Sequence, residues 1–100
     1  MIRDPSDCTT MTEVRAGVDA VDHDLVALLG RRFGYMAAAA RIKTDPAAVR
    51  DEERKAQVIE NVKEHASASG VPEPLVGALW EMLVESSIAY EDALFAGKSR

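Results

Sequence analysis

Apolar residues recur from Val14 in alternating steps of four and three, through Val18, Val21, Leu25 and Leu28, and again at Tyr35, Ala39 and Ile42. Steps of this kind keep side chains on one side of a helix, so the pattern predicts a helix from about Thr12 to Lys43. Thr9, Thr10 or Thr12 can serve as its N-cap, and Glu13 in the first turn suits the positive end of the helix dipole. Thr44-Asp45-Pro46 ends it, because a residue before proline avoids the helical region. Val58, Ile59, Val62 and Ala66 form the apolar face of a second helix over about Asp51–Ser69, with Gly70 just past its end. A third helix, over about Pro74–Ala96, is striped by Val76, Leu79, Trp80, Leu83 and Val84. No strand is expected. The fold class is all-α, with one long helix and two shorter ones in a single domain over residues 1–100.

The helix lengths imply an assembly. A helix of about 30 residues is ~45 Å long, whereas a compact chain of this size has a radius of gyration of only ~13 Å. Two shorter helices cannot cover the long one, so much of its stripe needs a second chain, and a homodimer supplies it. The net charge of −5 argues against nucleic acid or an anionic membrane as partner. Cations turned inward in an acidic protein suggest a small anionic ligand instead. Cys8 is the only cysteine, which points to a reducing compartment. No apolar run approaches the ~18 residues of a membrane span, and the opening Met-Ile-Arg-Asp-Pro-Ser-Asp lacks a signal peptide's apolar stretch. A cytoplasmic protein is expected.

Polar residues interrupt the stripes at particular places. Arg32 falls on the seam of the first helix, where a buried unpaired guanidinium would cost several kcal/mol or more. Lys43 lies about three turns on and projects to nearly the same side. Arg54 and Lys55 lie one turn before Val58 and Ile59, with Asp51 another turn back. On the third helix the stripe runs on to Ser87 and Glu91. Cations, a hydroxyl and carboxylates can therefore converge on one cavity. Arg15 is ~25 Å along the axis from Arg32 and reaches it only if the long helices of two chains pair antiparallel. Blander roles remain open. Arg32 could pair with an acidic residue of the partner, and Lys43 could complement a helix C-terminus. Glu91 could be a surface residue and Ser87 filler. His23, His65 and Arg31 read as surface residues, and Trp80 as core. The sequence carries no metal cluster, phosphate loop or nucleophile–base motif.

Glu13-Val14-Arg15, Val18-Asp19-Ala20-Val21-Asp22, Leu28-Leu29-Gly30-Arg31-Arg32 and Ala40-Arg41-Ile42-Lys43 resemble the all-helical chorismate mutase family, and Val49-Arg50-Asp51 with Glu53-Arg54 resembles its second-helix motif. The resemblance covers essentially the whole chain. Asp4-Pro5-Ser6-Asp7-Cys8-Thr9, Gly30-Arg31-Arg32 and Ile88-Ala89 are similar to the isochorismate-pyruvate lyase branch, which makes salicylate. The resemblance implies an intertwined three-helix homodimer with two sites, each taking one arginine from the partner. It implies that Arg15, from the partner, and Arg32 hold the two substrate carboxylates, which the planar guanidinium fork suits. By the same resemblance Lys43 donates to the ether oxygen of the breaking C–O bond. Asp51 and Arg54 line the pocket near the ring, and Ser87 contacts a carboxylate.

Two positions depart from the family pattern. The mutase pattern has a glutamate on the ring hydroxyl where this chain has Lys55, and the lyase branch is apolar there. The second ether-oxygen donor is usually glutamine, and here it is Glu91. A carboxylate cannot donate a hydrogen bond, so Glu91 would act protonated, a state that burial favours and Lys43 opposes. The expected activity is conversion of chorismate to prephenate, without metal or other cofactor. The alternatives are isochorismate-pyruvate lyase activity, giving salicylate and pyruvate, and a non-catalytic helical dimer that regulates a shikimate-pathway enzyme.

Overall fold

A computed structural model describes residues 2–98, and among them it contains helices and no strand. Helix α1 spans Met11–Ile42, α2 spans Glu52–Ala68 and α3 spans Glu73–Lys98. The boundaries agree with the apolar periodicity to within a residue or two. Short 3₁₀ turns at Pro5–Asp7 and Pro46–Ala48 lay beyond that periodicity. In each, an aspartate precedes the proline and its carboxylate accepts a backbone N–H, from Ser6 at 3.1 Å and from Ala47 at 3.0 Å. No helix among the described residues is long and apolar enough to cross a membrane.

The chain divides into two compact units, one ending at Tyr35 and one beginning at Met36. In the first, α1 begins with a capping box. Thr10 Oγ1 accepts from the Glu13 N–H at 3.2 Å, and Glu13 Oε1 accepts from the Thr10 N–H at 3.1 Å. Thr10 is thus the cap among the three threonines considered. Glu13 also takes the Thr9 N–H at 3.2 Å and pairs with Arg3, so it pins the N-terminal segment as well as facing the dipole. The Thr9 hydrogen bond, foremost among these contacts, holds its carboxyl below the usual range. The expected seam is present and half exposed: Val18 is 52% exposed, Val21 57%, Leu25 52% and Leu28 60%.

The second unit holds the buried cluster of Val49, Val84, Ile88 and Phe95, with Val58 and Trp80 packed against it. Two details depart from the expected stripe of α3. Leu79 is half exposed, while Ile88 and Phe95 are buried. Successive residues turn by about 100°, which places Leu79 on the flank away from Val84. The buried line instead runs from Val76 through Val84, Ile88 and Phe95. Ser87 and Glu91 are buried on the same helix. Helix α2 ends in a Schellman motif: Val71 N donates to Ala66 O at 2.9 Å and Gly70 N to Ser67 O at 3.3 Å. Gly70 supplies the required positive φ of 72°. That reversal lays α3 back against α2 and fixes which residues of the two helices meet.

Candidate active site

The second unit holds Lys43, Asp51, Arg54, Lys55, Ser87 and Glu91 of the polar residues singled out from the sequence. Lys43 N continues the α1 ladder by donating to Ala39 O at 2.9 Å, which carries its side chain toward α3. There Lys43 Nζ donates to Glu91 Oε1 at 2.6 Å. The Glu91 side chain is only 5% exposed and that of Lys43 30%. Glu91 is therefore not a surface residue. A buried carboxylate needs a charged or hydrogen-bonding partner, and Lys43 meets that need with one of its three N–H donors. One turn back on α3, Ser87 is buried and its Oγ donates to Leu83 O at 2.7 Å. The hydroxyl's single proton is spent on that carbonyl.

At the start of α2, Asp51 is the N-cap, and its Oδ1 accepts from Arg54 N at 2.9 Å. Removing a cap of this kind costs about 1 kcal/mol. Arg54 Nη1 donates to Gln57 Oε1 at 2.7 Å. Asp51, Glu53, Arg54 and Gln57 line an open concavity of about 430 Å³. Lys55 faces elsewhere. Its Nζ donates to Glu81 Oε1 at 2.6 Å and to Glu85 Oε2 at 3.0 Å, both on α3. Glu85 and Glu91 are six residues apart, so they lie about 120° apart around α3. The Lys55 ammonium and the Lys43–Glu91 pair thus meet α3 on different sides.

Glu85 also receives both terminal nitrogens of Arg50, at 2.8 and 3.1 Å, and Arg50 contacts Glu52 at 2.8 Å. These bonds, Arg50 first and Lys55 second, hold the Glu85 carboxyl down at about 2, against 4.5 ordinarily. The Glu81 and Glu85 carboxylates in turn raise Lys55. Sequence reasoning missed this network. Its signal was present as two glutamates four apart on α3, opposite Arg50 and Lys55 on either side of Asp51.

Arg15 and Arg32 belong to the first unit, where Arg15 is exposed and Arg32 is half-buried with contacts of its own. His23, His65 and Arg31 are exposed and Trp80 is partly buried, as expected. Among the described residues no group of His, Cys, Asp and Glu could hold a metal ion. Lys43 beside Glu91, and Arg54 at the concavity, are cationic groups of the kind that can meet an anionic molecule.

Residues 14–92 match the chorismate mutase type II family. The chain belongs to that family. Arg15, Arg32, Lys43, Asp51, Arg54, Lys55, Ser87 and Glu91 all lie inside the matched segment. This chorismate mutase-family chain is also similar to the isochorismate pyruvate lyase of Pseudomonas aeruginosa, with 34% identity over 88 residues, which are 88% of this chain and 87% of that relative.

Proposed function

We propose that the protein is a chorismate mutase-type enzyme that converts chorismate to prephenate. The observation that carries the reading is the family match from 14 to 92, which spans every cation and carboxylate assigned to the site. The rearrangement breaks the ether C–O bond as a C–C bond forms between the enolpyruvyl arm and the ring. Electron pairs move around one closed array, so no nucleophile or redox group takes part. The protein's work is to hold the dicarboxylate as a near-attack conformer and to stabilise negative charge growing on the ether oxygen.

In this reading Arg32 and the partner subunit's Arg15 grip the two carboxylates. Lys43 donates to the ether oxygen, and Glu91, when protonated, is the second donor. Asp51, Arg54 and Ser87 line the rest of the pocket. The half-exposed seam of Val18, Val21, Leu25 and Leu28 supports a homodimer built on α1. Fully burying one such side chain is worth about 1.5–3 kcal/mol, and a second chain would collect the portion left exposed here. The same match supports one domain over the chain.

The similarity to an isochorismate pyruvate lyase supports a second reading. There the same ether bond breaks while a ring hydrogen passes to the enolpyruvyl methylene, giving salicylate and pyruvate. Purified protein, incubated separately with chorismate and isochorismate from about pH 5 to 8, distinguishes the readings by product. If neither substrate turns over at any of those pH values, both fail. Arg32→Ala should lower turnover by about 10²-fold or more while the dimer stays folded by circular dichroism and sedimentation. If that variant unfolds, Arg32 is structural.

A further inference from the structure

Arg50 and Lys55 bracket the turn that carries Asp51 and Arg54, and both bind one carboxylate, Glu85, from the neighbouring helix. Arg50 reaches it with two nitrogens at 2.8 and 3.1 Å, and Lys55 at 3.0 Å. We propose that Glu85 is a positioning residue: it clamps both ends of the 50–55 turn onto α3 and so fixes the direction in which that turn presents Arg54. Lys55 is then part of the clamp, and its ammonium does not touch substrate.

The neighbouring contacts supply the rest of the argument. Val49 is 5% exposed and Val58 packs on the same buried cluster, so apolar anchors lie just outside the charged ones. They hold this segment against α3. Three charge-assisted bonds to one carboxylate add a fixed direction, because a bidentate guanidinium fixes orientation as well as distance. Glu81 takes a second Lys55 proton at 2.6 Å and keeps the ammonium on this side of α3. The Arg50 and Glu85 side chains are 47% and 42% exposed, and ion pairs that exposed add little to stability. What the clamp supplies is geometry. Arg54 shares the turn with Asp51, whose cap bond to Arg54 N couples the two.

The proposal rests on the mutase-type reading for its substrate, but the clamp can be tested without it. Glu85→Gln, Lys55→Met and the double variant are compared with the wild type in two measurements. The first is amide hydrogen exchange over residues 50–56, expected to speed up several-fold in each variant while residues 58–66 are unchanged. The second is steady-state kinetics on whichever of chorismate and isochorismate the wild type turns over. A misdirected Arg54 weakens ground state and transition state alike, so KM rises by roughly tenfold with kcat nearly constant. The double variant should be no worse than either single one, and Lys55→Arg should restore most of the loss. KM effects that multiply in the double variant would mean that Lys55 touches substrate independently, which overturns the proposal. Exchange indistinguishable from wild type also overturns it. A wild type inactive on both substrates removes the functional reading, and the exchange measurement then decides the clamp alone.

Discussion

Replacing Lys43 with methionine strands the Glu91 carboxylate. Glu91 is 5% exposed and is met by the ammonium at 2.6 Å. Removing one partner of a buried ion pair costs about 3–5 kcal/mol, because the remaining charge loses its compensation without regaining water. Lys43 is itself 30% exposed, so water can approach the vacated side and the low end, about 3 kcal/mol, applies. For a chain of this size unfolded by urea, a slope of about 1.5–2 kcal/mol/M turns that cost into a midpoint shift of about 1.5–2 M. The measurement is urea denaturation at pH 7 followed by far-ultraviolet circular dichroism, at one fixed protein concentration, since the midpoint of any chain that self-associates depends on it. The double variant Lys43→Met/Glu91→Leu should recover most of the loss, because replacing both members by apolar groups of similar size is close to neutral. A shift below about 0.3 M for the single variant would refute the reasoning, as would a double variant no more stable than the single.

Two further outcomes follow from the same residues. Glu91→Gln should raise turnover at pH 7, since an amide can donate a hydrogen bond and a carboxylate cannot; turnover no higher than that of the wild type would remove Glu91 from the mechanism. Glu85 lies at about 2 in the folded chain against 4.5 ordinarily, so its contribution is present above 4.5 and is lost as pH falls toward 2. Glu85→Gln should therefore lose less of its thermal midpoint than the wild type between those two pH values, and an equal loss would show that the clamp carries none of the acid sensitivity.

Local rules determined a large part of this protein. The four-and-three spacing from Val14 to Ile42, Asp45 before Pro46, and Gly70 after Ala66 each act through neighbours a turn or less away. For that reason the three helices and their ends were legible in the sequence. The Arg15, Arg32 and Lys43 spacing and the second-helix motif carried the family. The place of Ser87 and Glu91 on the α3 stripe likewise follows from helical periodicity, whereas their burial and the role of Asp51 as cap came only with the structure.

Other features depend on how two helices are set against each other, which no single-helix pattern specifies. Lys55 shares a helix face with residues expected to line the pocket, yet its long, flexible side chain reaches Glu81 and Glu85, at sequence separations of 26 and 30 residues. The Schellman reversal at Gly70 sets that register. The same packing turns Leu79 outward and Ile88 and Phe95 inward, and it joins Lys43 to Glu91 across 48 residues. Helical periodicity assigns each charge to a face of its helix. Which charges pair follows from the packing of the helices, because pairing depends on a few ångströms of side-chain reach that periodicity does not encode.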